Sequence, residues 1–249
     1  MILKDYHMHT TFCDGENTPE ELVISAIEKG LTEIGIAIHS YVFFDETVCK
    51  KEEDVGKFFK TVSSLKGKYK DTIKVLCGIE QDYYSKPPAY DFDYIIGSVH
   101  YLKQGETYLP LDISPSQVDG FVEKYYDNDY LLLAEDYYNT LENVVTKTGA
   151  DIIGHIDLIT KFIEKGTYFD IKGERYLAAA KKCIDKLLPF EKPFEINTGA
   201  ISRGYRTTPY PSSDLINYIK EKGGKLILSS DTHSKENLCF QFDKWEKLL

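Results

Sequence analysis

Arginine is scarce in this chain: Arg175, Arg203 and Arg206 are the only three among 249 residues. The formal net charge is -10. A protein this acidic lacks the lysine- and arginine-rich surface that displaces counterions from nucleic acid, so nucleic acid is not an expected partner. The five cysteines, Cys13, Cys49, Cys77, Cys183 and Cys239, are odd in number and show no CxxC spacing. That argues against a disulfide scaffold and fits a reducing compartment. No apolar run nears the length of a membrane span, and MILKDYH lacks the apolar region of a signal peptide, so a cytoplasmic protein with no membrane partner is expected. Linkers, internal repeats and low-complexity stretches are also absent, which predicts a single domain over residues 1–249. Gly223-Gly224 has no phosphate-loop spacing around it and reads as a turn.

What remains is an ordinary globular composition, 42% hydrophobic and 28% charged, sufficient for a large buried core. Short apolar runs alternate with helical patterns. Thr18-Pro19-Glu20-Glu21 reads as a capping box opening a helix that Gly30 stops, and EIGIAIH follows at once. Seven runs have strand character, at about 2–7, 33–38, 73–79, 93–99, 151–155, 194–197 and 225–230. Helical patterns are expected over about 51–69, 119–149, 174–188, 212–222 and 235–248, and 104–118 reads as a long loop over the site. Strands separated by helices imply an α/β protein with a parallel sheet, closed as a barrel or something like one. The tyrosine pairs Tyr83-Tyr84, Tyr125-Tyr126 and Tyr137-Tyr138 read as packing between helices and barrel, and the acidic AEDYYNTLEN as a helix face.

All six histidines stand where apolar runs end. His7 and His9 close ILKDYHMH, His39 closes EIGIAIH, His100 closes FDYIIGSVH, His155 follows ADIIG, and His233 follows KLILSSDT; IKVLCGIE ends on Glu80. Collected at strand ends, these residues predict one barrel rim and one site. Alternate side chains on a strand share a face, so His7 and His9 can reach one cation, and so can Asp231 and His233. Imidazole with carboxylate suits zinc, iron or manganese. Asp14, in the loop after the first run, is either a ninth ligand or a turn residue in the favoured Asp14-Gly15 pair. Cys13 is either close to the site or a buried free thiol. Nine ligands exceed what one or two tetrahedral ions use, so three divalent ions fit the count. They would carry more positive charge than Asp14, Glu80 and Asp231 neutralise, which favours a phosphate dianion, and they would generate hydroxide at neutral pH. The implied chemistry is hydrolysis of a phosphoester.

The motifs DYHMHTTFCDG at 5–15, the run ending at His39, GIE at 78–80, GSVH at 97–100, GHID at 154–157 and SDTH at 230–233 resemble the PHP (polymerase and histidinol phosphatase) family over nearly the whole chain. FDYIIGSVHYL and the chain length look most like its monofunctional histidinol-phosphatase branch. The resemblance implies a distorted (β/α)7 TIM-like barrel with a trinuclear centre. It also implies a division of ligands: His7, His9 and Asp231 with one metal, Glu80 bridging to a second completed by His100 and His155, and Asp14, His39 and His233 with a third. Some relatives have histidine in place of Asp14.

The activity implied is hydrolysis of L-histidinol phosphate to L-histidinol and phosphate, a step of histidine biosynthesis, with Glu80, Asp231, His233 and Arg203 in the catalytic set. Candidate substrate contacts are Lys161, Arg203 and Arg206 on the loops after the fifth and sixth strands, and Asn197 at the end of PFEIN. Arginine grips phosphate bidentately and lysine acts as a point charge. Solvated loop cations and a capping or core asparagine are the competing readings for Lys161, Arg206 and Asn197. Two rival functions are a phosphoesterase acting on nucleotides, nucleic acid or phosphotyrosine at the same site, and a non-catalytic metal-binding module. The latter would be expected to lose several ligands, whereas all nine candidates are present.

Overall fold

A computed structural model describes residues 4–49, 51–166 and 168–249. Seven strands form one parallel sheet: β1 (Lys4–Asp5), β2 (Glu33–His39), β3 (Lys74–Asp82), β4 (Tyr94–Ser98), β7 (Ile152–Ile153), β8 (Phe194–Asn197) and β9 (Leu226–Ser229), in that spatial order. The edges meet through a parallel bridge between Met8 and Thr232, where His9 N donates to Thr232 O at 2.8 Å and Thr232 N to His7 O at 3.2 Å. The result is the distorted (β/α)7 TIM-like barrel that the motifs imply. Residues 2 and 3 of the first expected strand lie outside the described residues.

Strand alternation decides what fills the barrel. On β3, Leu76, Gly78 and Glu80 share a face, as do Gly35, Ala37 and His39 on β2. Ala37, Tyr94, Ile96 and Ile152 pack with Tyr6, Leu76 and Ile227 as an apolar plug. The Tyr94 hydroxyl crosses this interior to donate to Tyr6 O at 2.6 Å, passing so close to Gly35 and Gly78 that a Cβ at either would collide with its ring. One step further along the same faces stand His39 and Glu80. The apolar layer therefore ends where the polar rim begins.

Helices cover the outside. The capping box forms: Glu21 N donates to Thr18 Oγ1, Thr18 N donates to Glu21 Oε2 at 2.8 Å, and Pro19 opens α1 (Pro19–Glu28). Gly30 supplies the left-handed turn after it, with φ of 76°. Helix α2 (Glu52–Lys68) begins with Glu52, Glu53 and Asp54 and ends with Lys66 and Lys68, charges that complement its dipole. Helices α6 (Glu174–Leu187) and α8 (Ser213–Glu221) lie where their patterns predict.

Three expectations need correction. Residues 104–118 are not one loop. They contain most of an antiparallel hairpin, β5 (Tyr101–Gln104) with β6 (Thr107–Pro110), and the start of α3 (Pro115–Tyr125), which Ser114 caps. The helical stretch after it divides into α3, α4 (Tyr130–Leu141) and α5 (Val144–Thr148), because Asp127 and Asn128 take positive φ and Asp129 caps a new start. The final helix over 235–248 is also broken. Cys239 and Gln241 have φ of 57° and 54°, leaving short 3-10 turns around a four-residue helix, Phe242–Trp245, while Leu238 and Phe242 are buried. Tyr126, Tyr137 and Tyr138 are buried among the helices. Helix α7 (Gly199–Ser202) is a single turn after β8. Among the described residues no helix is long and apolar enough to cross a membrane.

Candidate metal centre

The C-terminal ends of the strands gather all nine candidate ligands. Glu80, 1% exposed, stands at the middle. Its Oε2 faces His7 Nε2 at 3.3 Å, His9 Nε2 at 3.4 Å and His39 Nδ1 at 3.0 Å. Its Oε1 faces His155 Nε2 at 2.9 Å and His100 Nε2 at 3.3 Å, and accepts from Ser98 Oγ at 2.7 Å. Asp231 Oδ1 lies 3.3 Å from His9 Nε2 and 3.7 Å from His7 Nε2. Asp14 reaches His39 Nε2 at 3.5 Å and His233 Nε2 at 3.1 Å.

Three sets of ligand atoms are compact enough to share an ion: His7, His9 and Glu80; His39, Glu80 and His100; and His9, Asp14, His39 and His233, each set within 4.8 Å. The buried Nε2 atoms of His7 and His9 have no hydrogen-bond partner. Orphaned imidazole nitrogens aimed at carboxylates are costly in a protein interior unless a cation lies between them. These residues fit a divalent metal centre.

The charges are strongly coupled. Burial works against protonating His9, His39 and His233 add to it, and the pKa falls to about 3. At His7 burial acts in the same direction, but the carboxylates of Glu195, Glu80 and Asp231 outweigh it and hold the imidazole well above its usual range. Burial would likewise raise Glu80, yet His7, His100 and His39 keep it well below the usual carboxylate range. Asp14 is lowered for the same reason, chiefly by His39 against the cost of burial.

A cavity of about 190 Å³ opens onto this cluster. Lys161 and Arg203 line it, whereas His7 and His9 lie behind it. Lys161 Nζ donates to Asp112 O at 2.7 Å and pairs with Asp112 Oδ2 at 3.3 Å. Arg203 Nη1 donates to Asp231 O at 3.0 Å and to His233 Nδ1 at 2.6 Å, and Nη2 reaches Asp231 Oδ2 at 3.3 Å. Arg206 and Asn197 are not on the cavity wall. Arg206 is buried against Thr160, Asp157 and the Tyr210 ring. Asn197 donates to Glu195 at 3.1 Å and Asp231 at 3.3 Å and accepts from Gly199 N. Cys13 is half-buried with Sγ 3.7 Å from His9 Nδ1, and burial pushes its thiol up to about 12, so it stands near the site in a setting that disfavours the thiolate.

Sequence reasoning missed three carboxylates. Glu195 binds His7, Asp82 accepts at 3.3 Å from His100 Nδ1, and Asp112 holds Lys161. Two of them were within reach of the same period-two rule: Asp82 is two residues beyond Glu80, and Glu195 two before Asn197. Asp112 carries no such signal, because the hairpin that presents it has no motif.

Barrel and rim together define a metal-dependent enzyme of the kind that gathers histidines and carboxylates at strand ends. The chain belongs to the PHP family, whose PHP domain matches residues 5–199. It is similar to a histidinol-phosphatase from Bacillus subtilis, 25% identical over 98% of each chain. A solved chain from Listeria monocytogenes shares the fold, with a TM-score of 0.83 at 19% identity over 97% of this chain and 99% of that one. A histidinol phosphate phosphatase from Lactococcus lactis, solved with zinc, L-histidinol and phosphate, aligns at 25% identity and a TM-score of 0.67, covering 98% of this chain and 91% of its own.

Proposed function

We propose that the protein is a cytoplasmic, single-domain phosphomonoesterase that hydrolyses L-histidinol phosphate to L-histidinol and phosphate in histidine biosynthesis. The observation that carries this reading is the match over nearly its whole length to the Lactococcus enzyme, which holds zinc with that product pair. The proposed ligands are His7, His9, Asp231 and Glu80 for one ion, Glu80, His100 and His155 for a second, and Asp14, His39 and His233 for a third. The compact atom sets support the cores of this division, with His9 also reaching toward the third ion and His39 toward the second; Asp231 and His155 stand outside those sets and are joined to them by their contacts with His9 and Glu80. Three divalent ions, zinc, iron or manganese, would supply Lewis acidity at the phosphoryl oxygens and water activated near neutral pH.

The chain's own residues do the rest. Arg203 is the proposed phosphate fork and Lys161, held by Asp112, a fixed point charge beside it. Arg206 and Asn197 serve by supporting the loops and ligands behind the cavity. Hydrolysis adds a water oxygen to phosphorus, breaks the bond to the alkoxide, and needs a proton on that alkoxide. The attacking water itself supplies that proton, and Asp231 and His233, both on the cavity wall, are the proposed groups that pass it on. Burial pushes Asp231 up, but Arg203 and His7 outweigh it and keep the carboxylate ionised. Arginine only donates, so while Arg203 bonds His233 Nδ1 the imidazole carries its proton on Nε2, toward Asp14. When Arg203 turns to a phosphate, Nδ1–H can donate to Asp231 O, 3.2 Å away, and the Nε2 lone pair is freed.

Metal analysis of freshly purified protein, followed by rates on histidinol phosphate, mononucleotides, oligonucleotides and a phosphotyrosine peptide, tests the reading. Histidinol phosphate should exceed the others in kcat/KM by at least about 100-fold, the discrimination that pocket fit alone can supply. Equal rates across the panel would instead favour a general phosphoesterase.

A further inference from the structure

Glu195 stands on β8 beneath the metal centre with no exposed surface. Among the described residues no lysine or arginine pairs with it. Its ion-pair partner is His7, whose Nδ1 lies 2.7 Å from Oε1. The other oxygen, Oε2, accepts from the backbone N–H of His155 at 3.1 Å and from Asn197 Nδ2 at 3.1 Å. Asn197 in turn donates to Asp231 Oδ2. One carboxylate thus touches or reaches ligands following β1, β7 and β9. Burying an ionised carboxylate costs several kcal/mol unless charge and hydrogen bonds compensate it, and a cation on His7 Nε2 would supply that charge through the imidazole in place of a second ring proton.

Three other strand-end histidines are supported less well, while His39 Nδ1 lies 3.0 Å from Glu80 Oε2, a carboxylate already shared among the ligands. His100 Nδ1 meets Asp82 only at 3.3 Å, His9 Nδ1 faces the Cys13 thiol at 3.7 Å, and the buried His155 Nδ1 has no partner. An imidazole whose remote N–H is held by a carboxylate is locked in one tautomer and becomes a more basic ligand.

We propose that Glu195 is a positioning residue that fixes His7 in its Nδ1–H form, presents the Nε2 lone pair to the ion shared by His7, His9 and Glu80, and makes that site the tightest of the centre. The proposal rests on the metal-centre reading above. Glu195→Gln is the discriminating variant. A glutamine that keeps its carbonyl on His7 must aim its NH2 group at two donors, His155 N–H and Asn197 Nδ2. Turned round, it donates to Nδ1 and drives the proton onto Nε2. Neither orientation reproduces the carboxylate.

Zinc affinity, measured by chelator competition on the wild type and on Glu195→Gln, tests this. In the wild type one equivalent should outlast the others. In the variant that equivalent should weaken by about 10–100-fold, the usual effect of removing such a partner, and kcat should recover at saturating zinc. Wild-type affinity for every equivalent in a folded variant would overturn the proposal. If the variant does not fold, 15N NMR of the zinc-loaded wild type decides: a protected, downfield His7 Nδ1–H supports the role, and an unprotonated Nδ1 overturns it. A wild type that binds zinc with this hierarchy but leaves histidinol phosphate untouched overturns the phosphatase reading alone. A wild type that binds no zinc overturns the metal centre and this role with it.

Discussion

Glu80 turns its two oxygens toward different histidines, Oε2 to His7, His9 and His39 and Oε1 to His100 and His155. An alanine at this position removes the shared acceptor and leaves five imidazoles around a hole. Turnover by Glu80→Ala is expected to fall by more than about 100-fold, the upper end for losing an outer-sphere partner, with an unchanged far-UV CD spectrum. Arg203 gives the second prediction at this scale. Arg203→Ala should lower kcat/KM by about 100–1,000-fold, as removal of a transition-state charge donor does, and Arg203→Lys should restore little, because lysine cannot form the two-pronged contact. Steady-state kinetics on both variants decides it; full recovery by lysine would demote Arg203 to a general counter-charge. The nine candidate ligands were legible because histidine and carboxylate at strand ends combine a residue type with a position. Arg206 and Asn197 were harder. Adjacency to a strand end says nothing about which way a side chain turns, and both turned into packed polar networks away from the cavity wall.

Helix starts were readable wherever side-chain chemistry announces them. Thr18-Pro19-Glu20-Glu21 predicts the cap that forms. Thr18→Ala should cost about 1 kcal/mol, read as a lower midpoint in urea with an unchanged slope. Ser114-Pro115 carries a similar signal, Ser114 capping α3 with Pro115 in its first turn, but it lay inside a segment read as loop. The irregular ends were less legible. Asp127 and Asn128 adopt left-handed backbone, which their residue types favour locally, whereas Cys239 and Gln241 adopt it with no such preference. Gly78→Ala would set a methyl against the Tyr94 ring inside the barrel and is expected to destabilise by about 1–3 kcal/mol, as overpacking does. Truncating Tyr94 in the same chain should recover part of that loss, and strict additivity in denaturation would show that the two positions do not interact.

On the scale of the molecule, seven strands close through the Met8–Thr232 bridge, whose flanking residues include His7, His9, Asp231 and His233. Barrel closure and the proposed metal ligands therefore coincide, so ions that bind only the folded state should stabilise the whole barrel. Stripping them with a chelator is expected to abolish activity and to lower stability by about 4 kcal/mol where free metal had stood at a thousand times its dissociation constant. Calorimetry before and after restoring zinc checks this, and an unchanged Tm would separate metal binding from folding. Net charge, the succession of strands and helices along the chain and the chemistry of the rim were determined by the sequence itself, because residue type and a period of two or 3.6 are local properties. Register across the closing seam, the hairpin that brings Asp112 to Lys161 and the carboxylate of Glu195 beneath His7 were decided only by tertiary structure. Each depends on residues far apart in the chain meeting in one buried place, where the cost of an unpaired charge selects its partner.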